Sequence, residues 1–175
     1  MKKAPLMKIA ALLLFIILPL LAVAAETEDP YYKQWASFKA GSNVTLLGRA
    51  ENSSSIASFT QTITLKEIAN DHLMVEIART EEKVAPVLKK KKVDRFVHKN
   101  DKVEYNGQEE IAVAGKTLTC QVYTLRIMYD SGKEMVAFKY WFNADIPGAT
   151  KIVATSWYEG KSQSTMQTAV KWEKK

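Results

Sequence analysis

The spacing of apolar residues changes twice along this chain. From Ile9 to Leu18 ten apolar residues run together, behind a basic start at Lys2, Lys3 and Lys8. Pro19 interrupts the run, and Ala22-Val23-Ala24-Ala25 ends it in small residues. A basic start, a short apolar run and an Ala-x-Ala ending are the marks of a secretory signal peptide. The apolar stretch falls short of the ~20 residues of a spanning helix. An uncleaved anchor is the alternative reading. The sequence therefore divides into a signal segment, 1–25, and a single antiparallel β domain, 26–175.

The second pattern is helical and brief. Asp29-Pro30 offers a carboxylate cap and a proline at the first helical position. Tyr31, Trp35 and Phe38 follow at i, i+4 and i+7, one apolar stripe. A helix from about Pro30 to Lys39, stopped by Gly41, is expected, with its aromatic face docked on a sheet.

After Gly41 the period is two. Val44 to Arg49 and Ile56 to Glu67 read as strands, the second with Phe59, Ile63 and Leu65 on one face. Leu73, Val75 and Ile77 alternate beyond an Asn70-Asp71 turn. Pro86 and the run Lys89-Lys90-Lys91-Lys92 break the pattern, and Asn106-Gly107 reads as a two-residue turn. Leu118, Cys120 and Val122 share one face, whereas Tyr123, Leu125 and Ile127 fall on the other parity. A bulge near Val122 would join them into one face. Val136, Phe138, Tyr140 and Phe142 alternate cleanly against Lys139 and Trp141, and strands are expected from Ile152 to Tyr158 and around Met166 to Trp172. Seven to nine short strands with turn signals between them, and no alternation of strand and helix, predict a mainly β (α+β) fold. Its architecture is an antiparallel meander with one short N-terminal helix.

Three segments carry a resemblance: Trp35-Ala36-Ser37-Phe38-Lys39-Ala40-Gly41-Ser42, Val113 to Tyr123 with its Gly-Lys-x-x-x-Cys strand, and Tyr140 to Gly148, a tryptophan strand ending in Pro-Gly. Together they resemble small bacterial secreted proteins of unknown function, which are similar to the LolA/LolB-like lipoprotein-carrier superfamily. The resemblance implies a curved antiparallel sheet, a half-barrel whose concave side is closed by helix and loop. The chain differs from the carriers in having one evident helix.

Composition sharpens this picture. The 175 residues carry a formal charge of +6. Lys2, Lys3 and Lys8 lie in the signal segment and no acid does, so the remainder carries +3. The charge is bunched: Lys89 to Lys92, Arg95, Lys99 and Lys102 lie together, offset by Asp94 and Asp101. Such a run suits an anionic envelope surface or an acidic partner, or a solvated edge strand. Nucleic acid is not expected in an exported protein. One cysteine excludes a disulfide framework and a four-thiolate metal site, and Cys120 reads as a buried strand thiol.

No constellation points to catalysis. There is no Gly-x-Ser-x-Gly elbow, no phosphate-binding glycine loop and no metal-ligand spacing, and His72 and His98 have no serine placed beside them. Glu81-Glu82 and Glu109-Glu110 are strand neighbours that point to opposite faces. The chain thus reads as a non-enzyme with no cofactor and no metal. Two functions remain. One is a periplasmic or extracellular binding module that holds a lipid or another apolar small molecule through Trp35, Phe38, Phe138, Tyr140, Phe142, Trp157 and Trp172. The other is an interaction protein with a filled core, which meets an anionic surface or acidic partner through Lys89, Lys90, Lys91, Lys92 and Arg95.

Overall fold

The computed structural model describes residues 26–82, 84–158 and 161–175. The signal segment expected at 1–25 lies outside them. Asp29 caps the single helix, α1 (Pro30–Ala36), by accepting a 2.7 Å hydrogen bond from the Tyr31 amide, with Pro30 in the first turn. The helix ends three residues before the expected Lys39. Ser37 closes it, its hydroxyl donating to the Gln34 carbonyl at 2.7 Å, and Gly41 instead ties the chain to the next layer through the Leu65 carbonyl.

Nine antiparallel strands follow: β1 (Asn43–Glu51), β2 (Ile56–Ile68), β3 (His72–Glu81), β4 (Val84–Asp94), β5 (Lys102–Val113), β6 (Lys116–Met128), β7 (Glu134–Phe142), β8 (Lys151–Tyr158) and β9 (Lys161–Glu173). They form one open sheet in the order β4-β3-β2-β1-β9-β8-β7-β6-β5. Two meanders, β1 to β4 and β5 to β9, are joined where the first strand pairs with the last, Val44 beside Trp172 and Leu47 beside Thr168. Nine strands at their usual spacing would lie roughly 40 Å across if flat. Yet one core cluster draws Leu46, Ile63, Val75, Val93, Val113, Leu125, Tyr140, Ile152 and Ala169, one residue from each strand, together with Tyr32, Trp35 and Phe38. The sheet therefore curls around the helix, as the half-barrel expectation holds.

Three local expectations are corrected. Pro86 and the lysine run do not break the strand pattern; they lie inside β4, with Lys89, Lys90, Lys91 and Lys92 paired to Ile77, Glu76, Val75 and Met74. Because β4 is an edge strand, its proline interrupts no second ladder, and the register shifts opposite it between Arg79 and Glu81. Asn106-Gly107 is not a turn but a bulge within β5, where Gly107 takes φ 90° and the register shifts between Tyr105 and Gln108. The tight turn between β5 and β6 falls where Ala114-Gly115-Lys116 reads as one, with Ala114 and Gly115 both at positive φ.

The bulge expected near Val122 is not in β6 itself: the extra residue lies on the facing strand, in the Asn106-Gly107 bulge of β5, whose register shift falls opposite Val122. The β6–β7 register is unbroken from Gln121 opposite Phe142 to Ile127 opposite Val136. The parity change survives because both faces are covered there. Leu125 joins the inner core, while Cys120 and Val122 turn outward into a second cluster under Trp141. Cys120 is fully buried, and that burial pushes its thiol pKa up.

The helix occupies one end of the concave face. Trp35 is fully buried against Gly148, where a Cβ would come within 2.5 Å of the indole. Gln34 Nε2 donates to the carbonyls of Asn143 and Ile146, both at 2.8 Å, and the Tyr32 hydroxyl donates to the Ala69 carbonyl at 3.0 Å. Residues 95–101 then run from β4 to β5 as a strap. The Asp29 amide donates to the Arg95 carbonyl and the Val97 amide to the Thr27 carbonyl, at 2.8 and 3.0 Å, and Arg95 pairs with Glu28 at 3.0 Å.

Candidate functional site

Where helix and strap leave the inner face uncovered, a cavity of about 290 Å³ remains. That is just under the ~300–1,000 Å³ of small-molecule pockets. Period-two geometry builds its floor. Ile63 of β2, Val75 and Ile77 of β3, Leu125 and Ile127 of β6 and Ile152 of β8 present their side chains to it. Phe138 and Tyr140 close one wall, and Phe96 and Val97 come from the strap. A second depression of about 430 Å³ shares Gln61 and Ile77 with the first and continues along Arg79, Glu81, Val87 and Lys89. The two form one groove along the inner face toward the open edge of β4.

The expected aromatic set is divided by the fold. Phe138, Tyr140 and Phe142 stack as a ladder along β7, with ring centroids 5.7 and 5.5 Å apart. Phe138 and Tyr140 line the cavity; Phe142 is buried beyond it, against Tyr31. Trp35 and Phe38 are packed core under the helix. Trp172 pairs with Val44 at the filled end, and the Lys116 ammonium lies 5.9 Å from its ring. Trp157 is 40% exposed and has the opposite parity to the inward Ile152, so it faces outward. The aliphatic floor was visible in the sequence as alternating Ile, Val and Leu. What singled out the aromatics was size, which does not distinguish core from cavity wall. The strap residues carried no periodic signal.

The polar groups at the cavity are held in place. Asp101 Oδ1 accepts from the Met128 amide at 3.0 Å. Burial raises the Asp29 carboxyl pKa, against the lowering effect of the Tyr31 and Tyr32 amides and of Lys91. Burial also pushes Tyr31 up to about 12 and Tyr140 well above the usual phenol value. Both phenols stay neutral at physiological pH and serve as amphipathic walls. Gln167 lines the cavity, and its Oε1 is shut off from solvent without a hydrogen-bond donor.

The lysine run is split by strand parity. Val93 is buried in the inner core, so Lys91 and Lys89 share its face, whereas Lys90, Lys92 and Asp94 turn outward. Lys92 pairs with Asp94 at 2.8 Å, and Lys90 borders Lys66 and Glu76 on the outer side. Arg95 is engaged by Glu28. His72 pairs with Asp71 at 2.7 Å on an exposed corner, and His98 sits on the strap at the cavity edge. Among the described residues no group of three or more His, Cys, Asp or Glu side chains could hold a metal ion, and no helix is long and apolar enough to cross a membrane.

No protein-family model matches the chain, and no curated protein does. Two solved structures are distantly similar to the chain. One is a domain from Vibrio parahaemolyticus described as an outer membrane lipoprotein-sorting protein. It is 9% identical, with a TM-score of 0.33, over 82% of this chain and 89% of that one. The other is a DUF1329 family protein from Desulfovibrio piger ATCC 29098, 7% identical with a TM-score of 0.30, over 81% of this chain and 89% of that one. The first is of the kind that the turn and strand motifs resemble, and the likeness is too distant to carry residue roles across.

Proposed function

We propose that this chain is an exported, carrier-like binding module that holds one apolar chain, such as a lipid acyl group, in the groove of its curved sheet. One observation carries the reading: the helix fills a single end of the concave face, and the rest is a groove with an aliphatic and aromatic floor. A protein needing only stability would gain from packing that space, because an unfilled apolar cavity costs contacts with no return. The reading assigns the chain no catalytic step, and the N-terminal export pattern supports a periplasmic or extracellular compartment.

Native mass spectrometry of the exported protein, purified without detergent, tests it. A lipid-sized adduct is expected, together with saturable enhancement of a fluorescent fatty acid such as cis-parinaric acid. A protein of bare mass that leaves the probe dark at its solubility limit overturns the reading.

A second reading has its own support. Lys89 to Lys92 are exposed on a free sheet edge, where an anionic envelope surface could meet them. Replacing all four by Gln would then weaken co-sedimentation with anionic liposomes at low salt, and unchanged sedimentation removes that contact.

A further inference from the structure

The groove and the lysine run were separate features of the sequence, and β4 brings them together. Lys91 lies in the wall of the cavity and Lys89 in the wall of its continuation, one residue apart on the inward face of the same edge strand. Neither forms an ion pair among the described residues, in contrast to the outward Lys92 with Asp94. We propose that the ligand is an anionic amphiphile whose carboxylate or phosphate head is held by Lys89 and Lys91 while its tail lies over Ile77, Ile127 and Phe138. This rests on the acyl-binding reading and adds the head-group chemistry and the orientation.

Charge at the two ends of the groove sets the direction. The deep end carries Asp29 and Asp101. The Asp101 charge already works against ionisation of Asp29 across this end, so a further anion beside the two acids is repelled. The β4 end carries Arg79, Glu81 and Lys89. Arg79 is held by Glu81 at 2.6 Å and stacks 3.7 Å over the Phe59 ring, which leaves Lys89 as the uncompensated cation of that end, while Lys91 stands between it and Asp29, whose charge it favours. The Arg79 Nε is shut off from solvent with no acceptor, one more donor turned to the same end. A lysine amine on a flexible stem at an exposed edge can follow a head group in and out with little desolvation cost.

The test compares three ligands of one chain length, dodecanoate, dodecyl phosphate and dodecanol, by displacement of the fluorescent probe at low ionic strength. The wild-type protein should bind at least one of the two anions about tenfold more tightly than the alcohol, the scale of one hydrogen bond to a charged group. Lys89→Gln with Lys91→Gln should erase that advantage and leave dodecanol unchanged, which also reports an intact groove. Lys90→Gln with Lys92→Gln makes the same change in net charge on the opposite face and should preserve the advantage. Which of the two anions binds better identifies the head as carboxylate or phosphate. Equal binding of all three ligands by the wild type overturns the head-group assignment and leaves acyl binding standing. So does an equal effect of the inner and outer pairs, or loss of all three ligands in the inner variant. Failure of every ligand to bind the wild type overturns both.

Discussion

The two ends of the concave face are made from the same alternating strands and have opposite fates. At the filled end Leu46, Leu65, Leu73 and Ile146 close around Trp35 with no exposed surface. At the other end Ile77, Ile127 and Phe138 are only partly buried and face a groove. Strand composition does not separate them, since both are lined by Ile, Val, Leu and aromatics. The difference is the length of the covering element. A seven-residue helix is about 10 Å long and cannot reach across a sheet whose strands run to thirteen residues. One end of such a sheet becomes core, and the other stays available.

If that contrast is right, substitutions at the two ends should separate stability from binding. Trp35→Ala should have the largest effect, about 3–5 kcal/mol by urea unfolding, because it empties the filled end. A loss below ~1 kcal/mol would mean that the helix is not the keystone of the core. Phe138→Ala, at the open end, should cost only about 1–2 kcal/mol, since part of the ring faces the groove. It should weaken fatty-acid binding severalfold. Equal destabilisation by the two substitutions would erase the distinction between the ends.

Ile77→Trp sharpens the comparison from the other side by filling the place where the two depressions meet. Probe binding should fall about tenfold or more, with the unfolding free energy changed by less than ~1 kcal/mol, because the added ring enters empty space rather than packed atoms. Unchanged affinity would place the ligand elsewhere.

Asp29 joins the two ends, capping the helix while lining the cavity. Asp29→Ala should cost about 1 kcal/mol as a lost cap. Its carboxyl is raised above the ordinary 3.8 by burial, so the folded protein holds that proton more tightly than the unfolded chain does. The linked contribution is fully present below 3.8 and is lost as pH rises through the raised folded value. Asp29→Asn, which keeps a cap and removes the charge, should flatten that part of the stability–pH profile. An unaltered slope would assign it to another group.

Glu109, on the outer face, gives the smallest effect and the opposite sign. The Trp141 Nε1–H at 2.7 Å and the Lys139 ammonium at 3.0 Å hold its carboxyl below the ordinary 4.5. Its contribution is present above 4.5 and is lost as pH falls through the lowered value. Glu109→Gln should therefore reduce acid sensitivity slightly and leave ligand binding unchanged. Altered binding would contradict the assignment of the ligand to the inner face.

The local elements were legible where a residue's own chemistry dictates its backbone. Asp29-Pro30 starts a helix whatever surrounds it, and Phe138, Tyr140 and Phe142 fix a strand face by alternation. Local reasoning failed where an edge or a second layer changes the rules. Pro86 and four lysines are tolerated in β4 because that strand has one neighbour, and neighbour count is not written in any local window. Cys120 and Val122 need no bulge in β6 to be buried, because Trp141, nineteen positions beyond Val122, covers the outer face on which they lie.

The sequence by itself determined the antiparallel class, the aromatic helix, the bunching of charge and the period-two faces, because propensity, capping and alternation act within a few residues. Tertiary structure alone decided which faces meet. It paired the first strand with the last, left a groove on the inner face beyond the helix, and turned every second lysine of one run toward that groove. Those outcomes depend on contacts between residues distant in sequence, and on how far a short helix can reach across a curled sheet.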